Sequence, residues 1–133
     1  MVIDTSVLIA ILLGEPSSVH LIAALDAATT RKISAANVIE ASFVMLARHG
    51  EAGDVQLDRL IQKLGADIVP VDAEHVIAAR DAALRFGRGR HAAALNFGDC
   101  FSYALAVVAG EPLLFVGDDF AKTDIDPVTW GAS

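Results

Sequence analysis

The sequence contains a single cysteine, few basic residues and no long apolar run, and each shortage excludes a class of protein. Cys100 alone allows neither a disulfide framework nor a thiolate metal cluster. The net charge of −7 excludes a protein that holds nucleic acid by general attraction. No apolar run approaches the ~20 residues of a membrane span, and no basic stretch precedes Val2, so we expect a cytoplasmic protein. Residues 1–133 are long enough for one domain.

The chain begins with a short apolar strand that runs directly into a carboxylate. Val2 and Ile3 are β-branched and lack polar neighbours, which is typical of a strand buried on both faces. Ser6 is placed to cap a helix over residues 7–13, so Asp4 is expected in the turn between strand and helix. Ligands bind at this edge of open α/β sheets. Taken alone, Asp4 is equally well explained as a capping carboxylate.

Short apolar segments alternate with helical patterns along the rest of the chain. The expected further strands are residues 33–35, 68–71 and 112–116, and the expected further helices are residues 17–28, 37–47, 54–64, 72–86 and 97–109. Pro70 favours a sheet edge for its strand, because proline cannot donate to a ladder. The alternation predicts an α/β fold, a three-layer α/β/α sandwich with a mainly parallel central sheet.

Four acidic residues are expected to meet at the carboxyl edge of this sheet. Asp4 and Asp119 follow strands, whereas Glu40 and Asp99 lie in the first turns of helices. In right-handed βαβ units, the loop that leaves a strand brings the next helix N-terminus to the same edge. The sequence therefore predicts that the four carboxylates converge on one pocket.

Helix capping is an alternative explanation for two of these acids. Asn37-x-x-Glu40 and Asn96-x-x-Asp99 each have the spacing of a capping box. Each acid is, however, the only charge in a helix that is otherwise almost wholly apolar, and an unpaired buried carboxylate is costly. A shared cation would offset that cost. Oxygen ligands without cysteine or paired histidine favour Mg²⁺, with Mn²⁺ as a substitute, over zinc, and such ions indicate phosphodiester chemistry.

Several segments of the chain resemble one family. They are VIDTS at the start, NVIEASFVMLAR, GRHAAALNFGDCFSYALA and PLLFVGDDFAKTDI, and they are similar to PIN domains, specifically to VapC-type toxins of type II toxin-antitoxin pairs. The resemblance implies a metal-dependent ribonuclease with an α/β/α sheet, which a VapB-type antitoxin neutralises. It places the family's acids on Asp4, Glu40, Asp99 and Asp119. Gly117 stands where many relatives have another acid, which leaves the role of Asp118 open.

The resemblance also implies how the acids divide the chemistry. Asp4 and Asp99 would hold the principal Mg²⁺, while Glu40 and Asp119 would complete the cluster and orient the attacking water. The alternative is a catalytically inactive PIN-like module that only binds RNA or protein. Such a module normally lacks one of the acids, and none is missing here.

Polar residues beside the acids allow two interpretations each. Thr5 and Ser6 are expected to position Asp4 or a metal-bound water, although Ser6 is also explained as a helix cap. Asn96 is either a cap or an amide of the site. Asp118 is a further candidate for a residue that supports the acids or contacts the substrate.

A basic loop is the second candidate binding element. Arg88 and Arg90, with Arg85 and His91, form the densest basic cluster of an acidic chain. They either guide an RNA backbone toward the acids or form a solvated loop, and both interpretations remain open. The other histidines lack metal-ligand spacing and are expected at the surface; they are His20, His49 and His75.

The apolar content predicts a protein partner. Hydrophobic residues make up 54% of the chain, above the ~45 to 50% of an ordinary domain. Residues 7–13, 21–25 and 38–46 carry much of the excess. An amphipathic helix of a VapB-like antitoxin could cover it, with an arginine reaching the carboxylates. A homodimer interface is the competing explanation.

Overall fold

The computed structural model describes residues 1–131, in which four short parallel strands alternate with five helices. The strands are β1 (Val2–Ile3), β2 (Lys32–Ser34), β3 (Asp67–Val69) and β4 (Leu113–Leu114). The helices are α1 (Thr5–Leu12), α2 (Ser18–Ala27), α3 (Ala35–Leu64), α4 (Ala73–Phe86) and α5 (Phe97–Ala109), and a single 3-10 turn follows at Phe120–Lys122. None of the helices in this part of the chain is both long and apolar enough to cross a membrane.

The sheet has the strand order β3-β2-β1-β4, and every neighbouring pair is parallel. Val2 pairs with Lys32 on one side and with Leu113 on the other, so β1 is central. β3 lies at an edge, as Pro70 predicts, because the proline follows it directly. The predicted α/β/α fold class is confirmed.

Two apolar cores lie on opposite faces of the sheet because successive strand residues point to opposite sides. Val2 and Leu113 pack into the core under α4 and α5, which includes Leu105. Ile3 and Leu114 pack into the core under α1, α2 and both halves of α3. These strand residues have no solvent exposure, so β1 and β4 are covered on both faces.

Two helix starts differ from the sequence-based expectation. Asp4, not Ser6, is the N-cap of α1, because its side chain accepts from the Ser6 backbone N–H. Ser34 is the N-cap of α3, so Asn37 lies inside the helix and its proposed capping box is wrong. The expected break near residues 48–50 does occur within α3, at Gly50, which has φ 64° and ψ −152°.

Candidate active site at the carboxyl edge of the sheet

Asp4 is the most buried acid of the site and is held by three hydrogen bonds. Its Oδ2 accepts from the Ser6 backbone N–H at 3.1 Å and from the Ser6 hydroxyl at 2.6 Å. Its Oδ1 accepts from the Ser102 hydroxyl, on α5, at 2.5 Å. Only 4% of Asp4 is exposed. Asp4 is therefore both a helix cap and a fixed carboxylate at the end of the central strand.

Ser6 connects Asp4 to the loop that follows β4. While its hydroxyl donates to Asp4, the same oxygen accepts from the Val116 backbone N–H at 3.0 Å. Ser6 therefore hydrogen-bonds to the Asp4 carboxylate and is not the cap of α1. The Thr5 hydroxyl donates to the Asn37 carbonyl at 3.3 Å, which ties α1 to the first turn of α3.

A buried amide and a buried hydroxyl link the first turns of α3 and α5, and sequence reasoning missed both. Asn37 Nδ2 donates to the Gly98 carbonyl at 3.0 Å, and Asn37 Oδ1 lies 3.1 Å from the Ser102 hydroxyl. Neither Asn37 nor Ser102 has solvent exposure. The available signal was an uncharged polar residue in an otherwise largely apolar stretch of each helix, since buried polar groups are normally hydrogen-bonded.

Glu40 lies one turn after Asn37, and its carboxylate rests against the backbone of α5. Asn37 Nδ2 is 3.5 Å from Glu40 Oε1. A Cβ atom placed on Gly98 would come within 1.8 Å of Glu40 Oε2. The glycine therefore leaves the space in which the carboxylate lies.

Asp99 occupies the first turn of α5, where capping and clustering occur together. Its Oδ2 accepts from the Asn96 backbone N–H at 3.0 Å, and Asn96 Oδ1 accepts from the Asp99 N–H at 2.9 Å. Asn96 is thus a helix cap within a capping box. Burial raises the pKa of Asp99 to about 6, the Asn96 hydrogen bond lowers it, and the charges of Asp4, Asp119 and Glu40 raise it further. The four predicted acids therefore share one electrostatic site.

The two acids after β4 differ in their relation to this site. Asp118 and Asp119 are both exposed, in the segment that leads into the 3-10 turn. Asp119 is the one whose charge acts on the pKa of Asp99. This favours Asp119 over Asp118 as the fourth acid of the cluster.

The donor set fits a hard divalent cation that keeps part of its water shell. The clustered side chains are carboxylates from four different segments, and carboxylate oxygens suit Mg²⁺ and Mn²⁺. Within residues 1–131, no three acidic, histidine or cysteine side chains are grouped closely enough to hold an ion alone. Mg²⁺ commonly takes only one or two carboxylates and retains several waters, so the two observations agree.

The basic loop borders a groove beside the amino end of α5. Arg88 and Arg90 line a cavity of about 600 Å³ together with Asn96 and Phe97. Arg85, in contrast, donates to Asp81 and Asp124, so it is engaged within the fold. Of these three arginines, Arg88 and Arg90 therefore remain candidates for substrate contact.

Two of the histidine interpretations can be checked. His91 is exposed, and its Nδ1 accepts from the Ala93 N–H at 3.0 Å while its ring packs edge-on to Phe86. His75 was expected at the surface, but only 3% of it is exposed. The spacing between the histidines does not indicate this burial.

The structure is an α/β/α fold with a parallel sheet and with acidic residues at the carboxyl edge of that sheet. Comparison with known families shows which family has this fold. The family model described as PIN domain matches residues 1–126. The chain belongs to the PIN-domain family, whose ribonucleases generally depend on divalent metal ions.

Relatives that share almost half of the sequence carry more specific names. The chain is 48% identical over 128 residues to ribonuclease VapC30 of Mycobacterium tuberculosis (strain ATCC 25618 / H37Rv), which covers 96% of this chain and 98% of that protein. It is also 48% identical to ribonuclease VapC of Mycolicibacterium smegmatis (strain ATCC 700084 / mc(2)155), over 96% of this chain and 99% of that protein.

Solved structures share the fold at low sequence identity. The crystal structure of Mycobacterium tuberculosis VapC20, a sarcin-ricin loop cleaving toxin, gives a TM-score of 0.77 at 17% identity and covers 96% of this chain and 97% of that chain. VapBC2 from Rickettsia felis, bound to a DNA fragment from its promoter, gives 0.77 at 14% identity and covers 98% of each chain.

Proposed function

We propose that this protein is a Mg²⁺-dependent endoribonuclease that acts as the toxin of a bacterial toxin-antitoxin pair. The observation that carries the proposal is the carboxylate cluster around Asp99, whose pKa is raised to about 6 by its burial and, in addition, by the charges of Asp4, Asp119 and Glu40. The names of the 48% identical relatives support RNA as the substrate. RNA and a co-translated antitoxin both place the activity in the cytoplasm.

Each acid has a proposed role. Asp4 and Asp99 would hold the principal metal ion, and Glu40 and Asp119 would complete the cluster and orient the attacking water. A bound ion would supply charge stabilisation at the phosphoryl oxygen and would lower the pKa of its bound water. Ser6 and Ser102 keep both Asp4 oxygens in place by hydrogen bonds. In this proposal the acids position the ion and the attacking water, and the negative charge of the acids is neutralised by the ion. No histidine base or serine nucleophile is then needed.

Arg88 and Arg90 are proposed to bind the RNA backbone. Their groove also contains Asn96 and Phe97, which directly precede the first turn that carries Asp99. A phosphate bound by these arginines would lie near the acids without requiring a basic protein surface overall. The solvated-loop alternative predicts no dependence of RNA binding on either arginine.

A VapB-type antitoxin is the proposed protein partner. Part of the exposed apolar surface lies on α3, where Ile39 is 59% and Phe43 is 72% exposed, with Leu46 following on the same face. Residues 7–13 contribute less exposed apolar surface than the sequence suggests, because Val7 and Leu8 are buried. The exposed apolar face formed by Ile39, Phe43 and Leu46 also suits the interface of a homodimer or of a toxin-antitoxin hetero-oligomer.

The test of the activity uses purified protein and single-stranded RNA. EDTA is expected to abolish cleavage, and Mg²⁺ or Mn²⁺ to restore it. Asp99→Asn should be inactive at normal stability, whereas Asp58→Asn, which removes an exposed carboxylate on α3, should cleave at the wild-type rate. Cleavage by Asp99→Asn at the wild-type rate would exclude the assigned site, whereas a wild-type protein that binds RNA without cleaving it would favour the inactive binding module.

The test of the toxin assignment is genetic. Expression of the chain alone should arrest bacterial growth, and co-expression of the adjacent small open reading frame should restore growth. The two products should then co-purify. A chain that is harmless alone and purifies only as a homodimer would leave the nuclease without the toxin role.

A further inference from the structure

Gly98 is in contact with Glu40 in a way that no other residue type allows. The three atoms nearest to a Cβ built on Gly98 are Glu40 Oε2 at 1.8 Å, Cδ at 2.4 Å and Oε1 at 2.6 Å. Its own carbonyl accepts from Asn37 Nδ2 at 3.0 Å, so α3 approaches α5 at this point. Real Cβ atoms are not found within 3.0 Å of another residue's heavy atom, so one of the two groups would have to move.

The backbone of Gly98 does not itself require glycine. Gly98 lies within α5 and is not among the glycines with positive φ. Glycine is a poor helix former, so alanine would be preferred here on local grounds. The reason for glycine is therefore the neighbouring carboxylate and not the local conformation.

We propose that Gly98 is a positioning residue whose missing side chain allows the Glu40 carboxylate to lie over the first turn of α5, beside Asp99. The Glu40 carboxylate is the end of a flexible side chain whose one hydrogen bond in the described structure is the 3.5 Å contact from Asn37. A methyl group on residue 98 thus displaces the carboxylate and leaves the backbone in place. The catalytic consequence rests on the proposed function, whereas the displacement does not.

A thermal cycle on metal-free protein tests the displacement. The wild type, Gly98→Ala, Glu40→Ala and the double variant are unfolded in EDTA. Gly98→Ala should raise the Tm in the Glu40→Ala background, where its methyl group has space, and raise it less or not at all in the wild-type background. Equal shifts in both backgrounds, or a large fall in both, would overturn the proposal, because each would mean that Glu40 does not give way.

Activity and metal binding test the consequence. Gly98→Ala should lose about 10-fold to 100-fold in RNA cleavage rate and in Mn²⁺ affinity measured by titration calorimetry, the range for residues that orient metal-site carboxylates. In the Glu40→Ala background it should add no further loss. Wild-type cleavage by Gly98→Ala, or a loss that multiplies with that of Glu40→Ala, would overturn the proposal.

A glycine at the other end of the same helix is the matched control. Gly110 has φ 65°, and no atom lies within 4 Å of the position that a methyl group would take there. Gly110→Ala should therefore lower the Tm through backbone strain and retain activity. Gly98→Ala should instead lose activity without a comparable fall in the Tm. If the wild type cleaved no RNA, the proposed function would fail, and the metal-free cycle would still decide the role of Gly98.

Discussion

Removing the charge of Asp99 is expected to stabilise the metal-free protein while it abolishes catalysis. Burial and the charges of Asp4, Asp119 and Glu40 raise the pKa of Asp99 from 3.8 to about 6. At neutral pH, the folded protein therefore carries this charge at a cost that the unfolded chain does not have. In Asp99→Asn the charge is absent, and the amide oxygen can still accept from the Asn96 backbone N–H.

The size and pH dependence of the effect follow from the pKa difference. The shift from 3.8 to about 6 corresponds to roughly 3 kcal/mol, which we reduce to about 1 to 2 kcal/mol because Asp99 is partly exposed and solvent screens its charge. The expected rise in Tm is about 3 to 8 °C. The folded state binds the Asp99 proton more tightly than the unfolded chain does. The stabilisation that this proton gives the wild type is therefore present below pH 3.8 and is lost as the pH rises toward about 6.

Thermal and urea denaturation in EDTA across this pH range measure the prediction. Asp99→Asn should match the wild type at about pH 3.5 and exceed it at about pH 7.5, while Asp58→Asn should follow the wild type throughout. Millimolar Mg²⁺ should raise the Tm of the wild type more than that of Asp99→Asn, which reverses the order at saturation. Equal stability at neutral pH, or a difference that does not depend on pH, would refute the reasoning.

Three further predictions concern the surroundings of the acids. Ser102→Ala should cost about 1 to 3 kcal/mol in urea unfolding, because it leaves a buried oxygen of Asp4 without its donor, and wild-type stability would argue against the hydrogen bond. Neutralising Arg88 and Arg90 to Gln should weaken RNA binding and lower the salt slope by about 2; an unchanged slope across a salt series would return the loop to the solvated interpretation. Asp119→Asn should reduce the cleavage rate more than Asp118→Asn, and the reverse order would exchange their roles.

Several strand ends and helix boundaries were predictable because they depend on local chemistry. Two β-branched residues followed by Asp4 are sufficient to place a buried strand and an acid at its end. Gly65 has φ 60° and Asp72 accepts from the His75 N–H, so one ends α3 and the other begins α4 as their residue types predict. The right-handed βαβ rule then brings Asp4 and Asp99 to one edge.

The capping assignments show where local pattern is insufficient. Asn37 and Asn96 have the same spacing to an acid, yet Asn96 forms a capping box and Asn37 does not. The difference arises because Ser34, at the end of β2, begins α3 earlier and carries Asn37 into the helix interior. There the amide reaches α5 instead of its own N-terminus.

The sequence by itself determined the fold class and the family and indicated four candidate acids, because apolar periodicity and strand-end position are recorded in neighbouring residues. Only the tertiary structure decided what surrounds these acids, since Ser102 meets Asp4, and Gly98 meets Asn37 and Glu40, from segments far apart in the chain. A hydrogen bond or a missing methyl group acts over a few ångströms in space, and the distance along the chain does not indicate which residues will be that close.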